Sequence, residues 1–362
     1  MKKIIIIAIA FIIAIVAGII FISAYEEDTE ITKDATPVGL ILVGPKDDKS
    51  WNQSHYDNLL KTAEELNLSI NCRESVSGDE VMGVIEELIS GGCEIIVADT
   101  FEYCDAMVEA AKKYPEIYFF HATGISYGKN LSTYFGRIYQ IRYLTGIVAG
   151  LQTETDEIGY VAAMPISEVN RGINAFTLGV KSVNPDATVY VEWTDAWTDD
   201  EAAKNATNAL LEKHNIDVLT MHVDSIAPLG IAEEKGIFSI GYNRDNSEYY
   251  PSSFLTAAVW NWEEFYTPHL LKCLQGKFEG THHWVGAETG IIALAPLTEN
   301  VKDGTAEAVQ ERLDMILSGT FDVFYGPVYD NEGNLRIGEG ENITDNVMLN
   351  EFDWYVEGVV TE

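Results

Sequence analysis

A chain of 362 residues with a formal net charge of −34 is long enough for two ordinary domains, and it has no basic surplus with which to neutralise a phosphate backbone, which excludes nucleic acid as a partner. Hydrophobic residues make up 47%, with 7 Trp and 18 Tyr, enough for well-filled cores and incompatible with a disordered chain.

The first element is MKKIIIIAIAFIIAIVAGIIFISAY. Lys2 and Lys3 precede an uncharged apolar run of about 22 residues, long enough to span a bilayer. Residues 1–25 therefore read as an uncleaved membrane anchor, with a cleaved signal as the alternative; Ile22-Ser23-Ala24 is a poor cleavage site. The two lysines hold the start of the chain in the cytoplasm, so everything after Tyr25 is expected at the outer face of the cell membrane. Residues 26–36 are polar and acidic and read as a tether.

Short apolar, β-branched runs follow, starting at Val38, Leu68, Glu94, Ile117 and Ser132. Helical patterns lie between them: Asn52 to Leu66, Asp79 to Ser90 before Gly91-Gly92, and Glu102 to Lys113 before Tyr114-Pro115. The pattern restarts near Glu157, with runs at Glu157, Ala187, Asp217, Gly236 and Ser253 and helices over Asn170–Val183 and Asp200–Lys213. Nearly continuous apolar strands alternating with helices indicate parallel sheets buried on both faces. Two matched sets predict an α/β chain of two doubly wound lobes; one long sheet is the alternative. The four cysteines, Cys72, Cys93, Cys104 and Cys273, show no zinc spacing and read as free thiols, with a disulfide among the first three as the other reading.

Ligands in such sheets bind beyond the carboxyl ends of the strands, so the residues there are the site candidates. The first half supplies Trp51, Asn52 and His55 after strand one, Asp99 after strand three and His121 after strand four. The second supplies Trp197, Asp224, Asn243 with Asp245, and Trp260. Aromatic faces beside neutral hydrogen-bonding groups suit a flat, uncharged ring. Each residue has a plainer reading: Ser50 or Asn52 as a helix cap, His121 as a satisfied core histidine, Asp224 as a cap, Asn243 and Asp245 as turn residues. Trp260 and Trp262 lie on a strand-like run and are expected to alternate, with at most one facing a given side. No catalytic motif is present, seven histidines form no ligand pattern, and no metal, cofactor or enzymatic role is expected.

The segments DDKSWNQSH, FFHATG, YFGRIYQIRYLTGIVAG, GYVAAMPISEVNRGINAFTLGVKSVNPDATVYVEW, HVDSIAP, GYNRDN, LTAAVWNW and DWYVEGVV resemble the basic membrane protein (BMP) family of ABC-transporter substrate-binding proteins, which includes purine nucleoside receptors. The resemblance implies a type I periplasmic-binding fold with hinge crossovers: lobe 1 over 37–145 plus about 258–290, lobe 2 over 146–257 plus about 291–362. It implies permease and ATPase partners. It also places Trp51-Asn52 at an aromatic-Asn ligand motif, His121 where nucleoside binders carry an acid, Asn243 where the family's G-x-D-x-D has its first Asp, and Trp260 where they carry a lysine facing ribose. These departures point to a purine nucleobase such as adenine before a nucleoside, with a ligand-sensing receptor or, further off, a nucleoside-processing enzyme as alternatives.

Overall fold

The computed structural model describes residues 35–361, and residues 37–362 form one compact unit. The expected anchor over 1–25 lies outside the described residues, as does the tether apart from its last two positions. Among the described residues no helix is long and apolar enough to cross a membrane.

The first half alternates β1 (Thr36–Ile41), α1 (Trp51–Leu66), β2 (Leu68–Arg73), α2 (Val81–Ser90), β3 (Ile95–Ala98), α3 (Cys104–Lys113), β4 (Tyr118–Ala122) and β5 (Leu131–Gly136). The second runs α4 (Tyr139–Gln152), β6 (Glu157–Ala162), α5 (Ser167–Val183), β7 (Thr188–Trp193), α6 (Asp200–Lys213), β8 (Val218–His222), α7 (Ala227–Lys235), β9 (Phe238–Asn243) and β10 (Phe254–Trp260). The chain ends through α8 (Glu263–Leu274), β11 (His282–Val285), β12 (Ile292–Leu294), α9 (Thr305–Leu317), the hairpin β13 (Val328–Tyr329) and β14 (Leu335–Ile337), α10 (Asp345–Asn350) and β15 (Val359–Thr361).

Two sheets result, in the orders β11-β5-β4-β3-β1-β2 and β12-β10-β9-β8-β6-β7-β15, so the single long sheet is excluded. The pairs β1–β3, β3–β4, β4–β5, β5–β11, β6–β7, β6–β8, β8–β9, β9–β10 and β7–β15 are parallel, and β10–β12 and the hairpin β13–β14 are antiparallel. Strands β3, β5 and β8 are buried along their whole length, which is why their sequences carry no alternation. Strand order reverses between β1 and β3 in one sheet and between β6 and β8 in the other. The loops after those four strands therefore diverge and leave a crevice at each sheet edge. The chain passes between the sheets after Gly136, after Trp260 and after Val285. Strand β10 runs to Trp260 inside the second sheet, a little past the lobe boundary expected near 258.

Helices α4 and α5 cross at backbone contact: a Cβ on Gly146 would lie 2.0 Å from the carbonyl oxygen of Phe176, and one on Gly179 2.0 Å from that of Tyr143. No side-chain rotation relieves a collision with backbone. Gly146→Ala should cost about 3 kcal/mol, as overpacked sites do, read as a lower urea midpoint with an unchanged slope. All four cysteines are free, with Cys93 and Cys273 buried and Cys72 and Cys104 half-buried.

Candidate functional site

The crowded first turn of α1 is organised by Asp48, not by Ser50. The Asp48 carboxylate accepts from the backbone N–H groups of Ser50, Asn52 and Gln53 at 2.8–3.0 Å. Ser50 makes no side-chain cap, which corrects the sequence expectation and frees its hydroxyl. Asn52 is fully buried: its Oδ1 accepts from Gly44 N at 2.8 Å and its Nδ2 donates to Asp48 at 2.7 Å. That amide holds the β1–α1 loop closed, and a Cβ on Gly44 would strike it at 2.7 Å.

Trp51 is buried at the crevice of the first sheet. Its Nε1 donates to the carbonyl oxygen of Asp99 at 3.1 Å, joining the loops after β1 and β3 across the reversal point. The Asp99 side chain, fully buried, accepts from Val43 N at 3.0 Å through Oδ1, and its Oδ2 has no partner among the described residues. Burial, with Asp224 and Asp48 nearby, pushes the Asp99 carboxyl well above its ordinary range.

The second sheet meets this surface through Asn243, the last residue of β9, at φ 70°. Its Oδ1 accepts from Trp260 Nε1 at 3.0 Å, and its Nδ2 donates to Asp224 Oδ1 at 2.7 Å and to Ser50 Oγ at 2.9 Å. Asn246 Nδ2 donates to Lys49 O at 3.3 Å, and Arg244 pairs with Asp57 at 2.9 Å on the rim. Asp224 is also raised well above the usual carboxylate range, first by burial and then by Asp48. Its backbone N–H donates to the carbonyl of Trp197, which brings that indole to the same edge.

Indoles dominate the contact. Trp51 stands edge-on to Trp260 and Trp262, with centroids 5.9 and 5.5 Å apart. Trp260 and Trp262 are stacked at 4.4 Å and 7°, because β10 ends at Trp260 and the turn into α8 swings Trp262 back onto it. This corrects the expectation that at most one of them faces a given side: residues two apart share a face of a strand, and the turn brings the two rings closer still. His55 continues the stack, 4.5 Å from Trp262, and its Nδ1 lies 2.5 Å from the Tyr266 hydroxyl.

Of the expected site residues, the structure thus gathers Trp51, Asp99, Asp224, Asn243 and Trp260, with Trp197 beside them. Asn52 sits in the first turn of α1 and its amide is taken up by the loop at Gly44 and Asp48. His55 lies behind the indoles, and burial holds its imidazole well below its ordinary pKa. His121 is one strand away, its Nε2 donating to Thr100 O at 2.7 Å, with a pKa lowered by burial to about 4. Asp245 stands apart: it is exposed and accepts from Ser247 N, a turn residue. Ser50, Trp262, Glu168 and His222 belong to this edge and were not anticipated; His222 was visible as the polar residue closing an apolar strand.

A family model described as ABC transporter substrate-binding protein PnrA-like matches residues 35–322. The chain belongs to this family. Members act outside the cytoplasm, bind small solutes and work with permease and ATPase subunits. A protein of Haloferax volcanii named as an ABC transporter glucose-binding protein, TsgA13, is 35% identical over 316 residues, covering 87% of this chain and 78% of the relative. A purine-binding protein of Brucella abortus is 32% identical over 351 residues, covering 96% and 98%. Among solved structures, a solute-binding protein of Conexibacter woesei superposes with a TM-score of 0.69 at 19% identity, over 80% of this chain and 98% of that one. One from Aeropyrum pernix gives 0.70 at 19%, over 79% and 92%, and these two share the fold.

The raised Asp99 carboxyl predicts a pH dependence. An acid whose folded pKa exceeds its unfolded value stabilises below the unfolded pKa, near 4, and that stability is lost as pH rises towards the folded pKa. Asp99→Asn should therefore gain stability over the parent steadily as pH rises from 4 to 8 in urea unfolding; a constant difference across that range would refute the burial of an ionisable carboxyl there.

Proposed function

We propose that this substrate-binding protein takes a purine nucleobase of the adenine type, with a nucleoside second, between its two sheets. The observation that carries the reading is the convergence of Trp51, Trp260, Asn243 and Asp224 from four separate segments onto one edge. Indoles offer planes on which a flat ring stacks, worth about 1–3 kcal/mol per base. Burial favours the neutral form of the Asp99 and Asp224 carboxyls, and a neutral carboxyl presents a donor and an acceptor side by side, the complement of a purine edge. The family match and the purine-binding relative support the same ligand class.

Ligand contacts made to both sheets at once would drive closure about the crossings after Gly136, Trp260 and Val285, with lobes near the boundaries the sequence suggests, and the closed form would dock on a permease served by an ATPase. The ligand is carried, and no step of chemistry is performed on it. The apolar start of the chain would keep the protein on the outer face of the membrane, near its transporter. A sugar is the second reading, favoured by the glucose-binding name of one relative and by the carboxyl and amide groups beside an indole.

Calorimetric titration with adenine, adenosine, guanosine and glucose separates these. Adenine should bind tightest, and adenosine tenfold tighter than adenine, or glucose alone, would overturn the preference. Trp260→Ala should weaken adenine roughly 10- to 100-fold, the worth of one stacked plane, with the fold retained by circular dichroism.

A further inference from the structure

The edge of the second sheet carries a polar pair without an internal bond. His222 ends β8 fully buried; its Nδ1 lies 3.2 Å from the Tyr160 hydroxyl, and its Nε2 has no hydrogen-bond partner among the described residues. That Nε2 is 3.9 Å from Oε1 of Glu168, beyond hydrogen-bond reach. Glu168 stands in the first turn of α5, half-buried, and its charge acts on both Asp224 and Tyr242, so it faces the edge described above. The ring of His222 packs on Tyr242, 4.5 Å between centroids, and against Trp197 at 6.0 Å. Gly172 makes the room: a Cβ there would come within 2.8 Å of the imidazole.

The imidazole is neutral. Burial, followed by the Arg142 guanidinium, lowers its pKa to about 4. Arg142 is itself fully buried, donating to Met221 O at 2.8 Å and lying over the Tyr242 ring at 4.0 Å. A neutral imidazole has one N–H, and the carboxylate beside Nε2 draws the hydrogen to that nitrogen, leaving Nδ1 to accept from Tyr160. The pair therefore presents a donor next to an acceptor, both unengaged by each other.

We propose that His222 and Glu168 read the purine edge where a ring nitrogen adjoins the C6 substituent, and that they select 6-amino over 6-oxo purines. The inference rests on the purine reading above. Adenine shows an acceptor, N7, beside a donor, the 6-amino group, whereas guanine shows two acceptors, N7 and O6, and hypoxanthine shares that pattern. His222 donates to N7 in every case. Glu168 accepts from the amino group of adenine and repels O6, leaving an oxo-purine with an unpaired acceptor against a carboxylate.

The test is calorimetry of adenine and hypoxanthine on the parent chain, Glu168→Gln and Glu168→Ala. The parent should bind adenine at least tenfold tighter than hypoxanthine. In Glu168→Gln the amide can donate to O6, and the adenine-to-hypoxanthine ratio should fall by roughly 10- to 100-fold. Glu168→Ala should weaken adenine and leave hypoxanthine level or improved. An unchanged ratio in both variants overturns the role of this pair while leaving purine binding intact. A parent that binds neither purine overturns the purine reading itself, so the two failures are distinct.

Discussion

Three segments far apart in sequence meet in one side-chain amide. Asn243 accepts from the indole of Trp260 and donates to Asp224 and to Ser50, so the end of β9 is joined at once to β10, to the loop after β8 and to the other sheet. An amide has an acceptor and two donor hydrogens, and all are used. Its φ of 70° lies in the left-handed region, which Asn tolerates better than other side chains that are not Gly. Leucine or valine there would meet both a backbone penalty and three stranded polar partners.

Around that amide the electrostatics run against the rest of the molecule. The chain is acidic throughout, and its surface carboxylates are hydrated and separated. Asp99 and Asp224 are different, since burial first and then neighbouring carboxylates favour their neutral forms. On the second sheet burial first, and then Arg142, whose guanidinium lies 4.0 Å over the Tyr242 ring, lower the pKa of His222.

The stack of His55, Trp262 and Trp260 gives this edge a rigid backing. It spans the crossing after Trp260, where the chain leaves one sheet for the other. Rings at 4.4–4.5 Å and near-parallel planes resist the torsions that a flexible linker would allow. Rotation about Asn261 would have to part Trp260, held by Asn243, from Trp262, the residue before α8.

Sequence alone determined the two α/β halves, because buried parallel strands leave uninterrupted apolar runs and helices leave their caps, and these are local signals. It also pointed to the residues after the strands as site candidates, and of these the structure brings Trp51, Asp99, Asp224, Asn243 and Trp260 to one edge. Tertiary structure alone decided which of the candidates meet. Asp48 took over the cap that Ser50 appeared suited to, the strand ended at Trp260 and turned Trp262 onto it, Asp245 went to solvent, and His222 came beside Glu168. Each of those outcomes is set by contacts between residues distant in the chain, and the angle at which two sheets face one another is written in no stretch of sequence short enough to read.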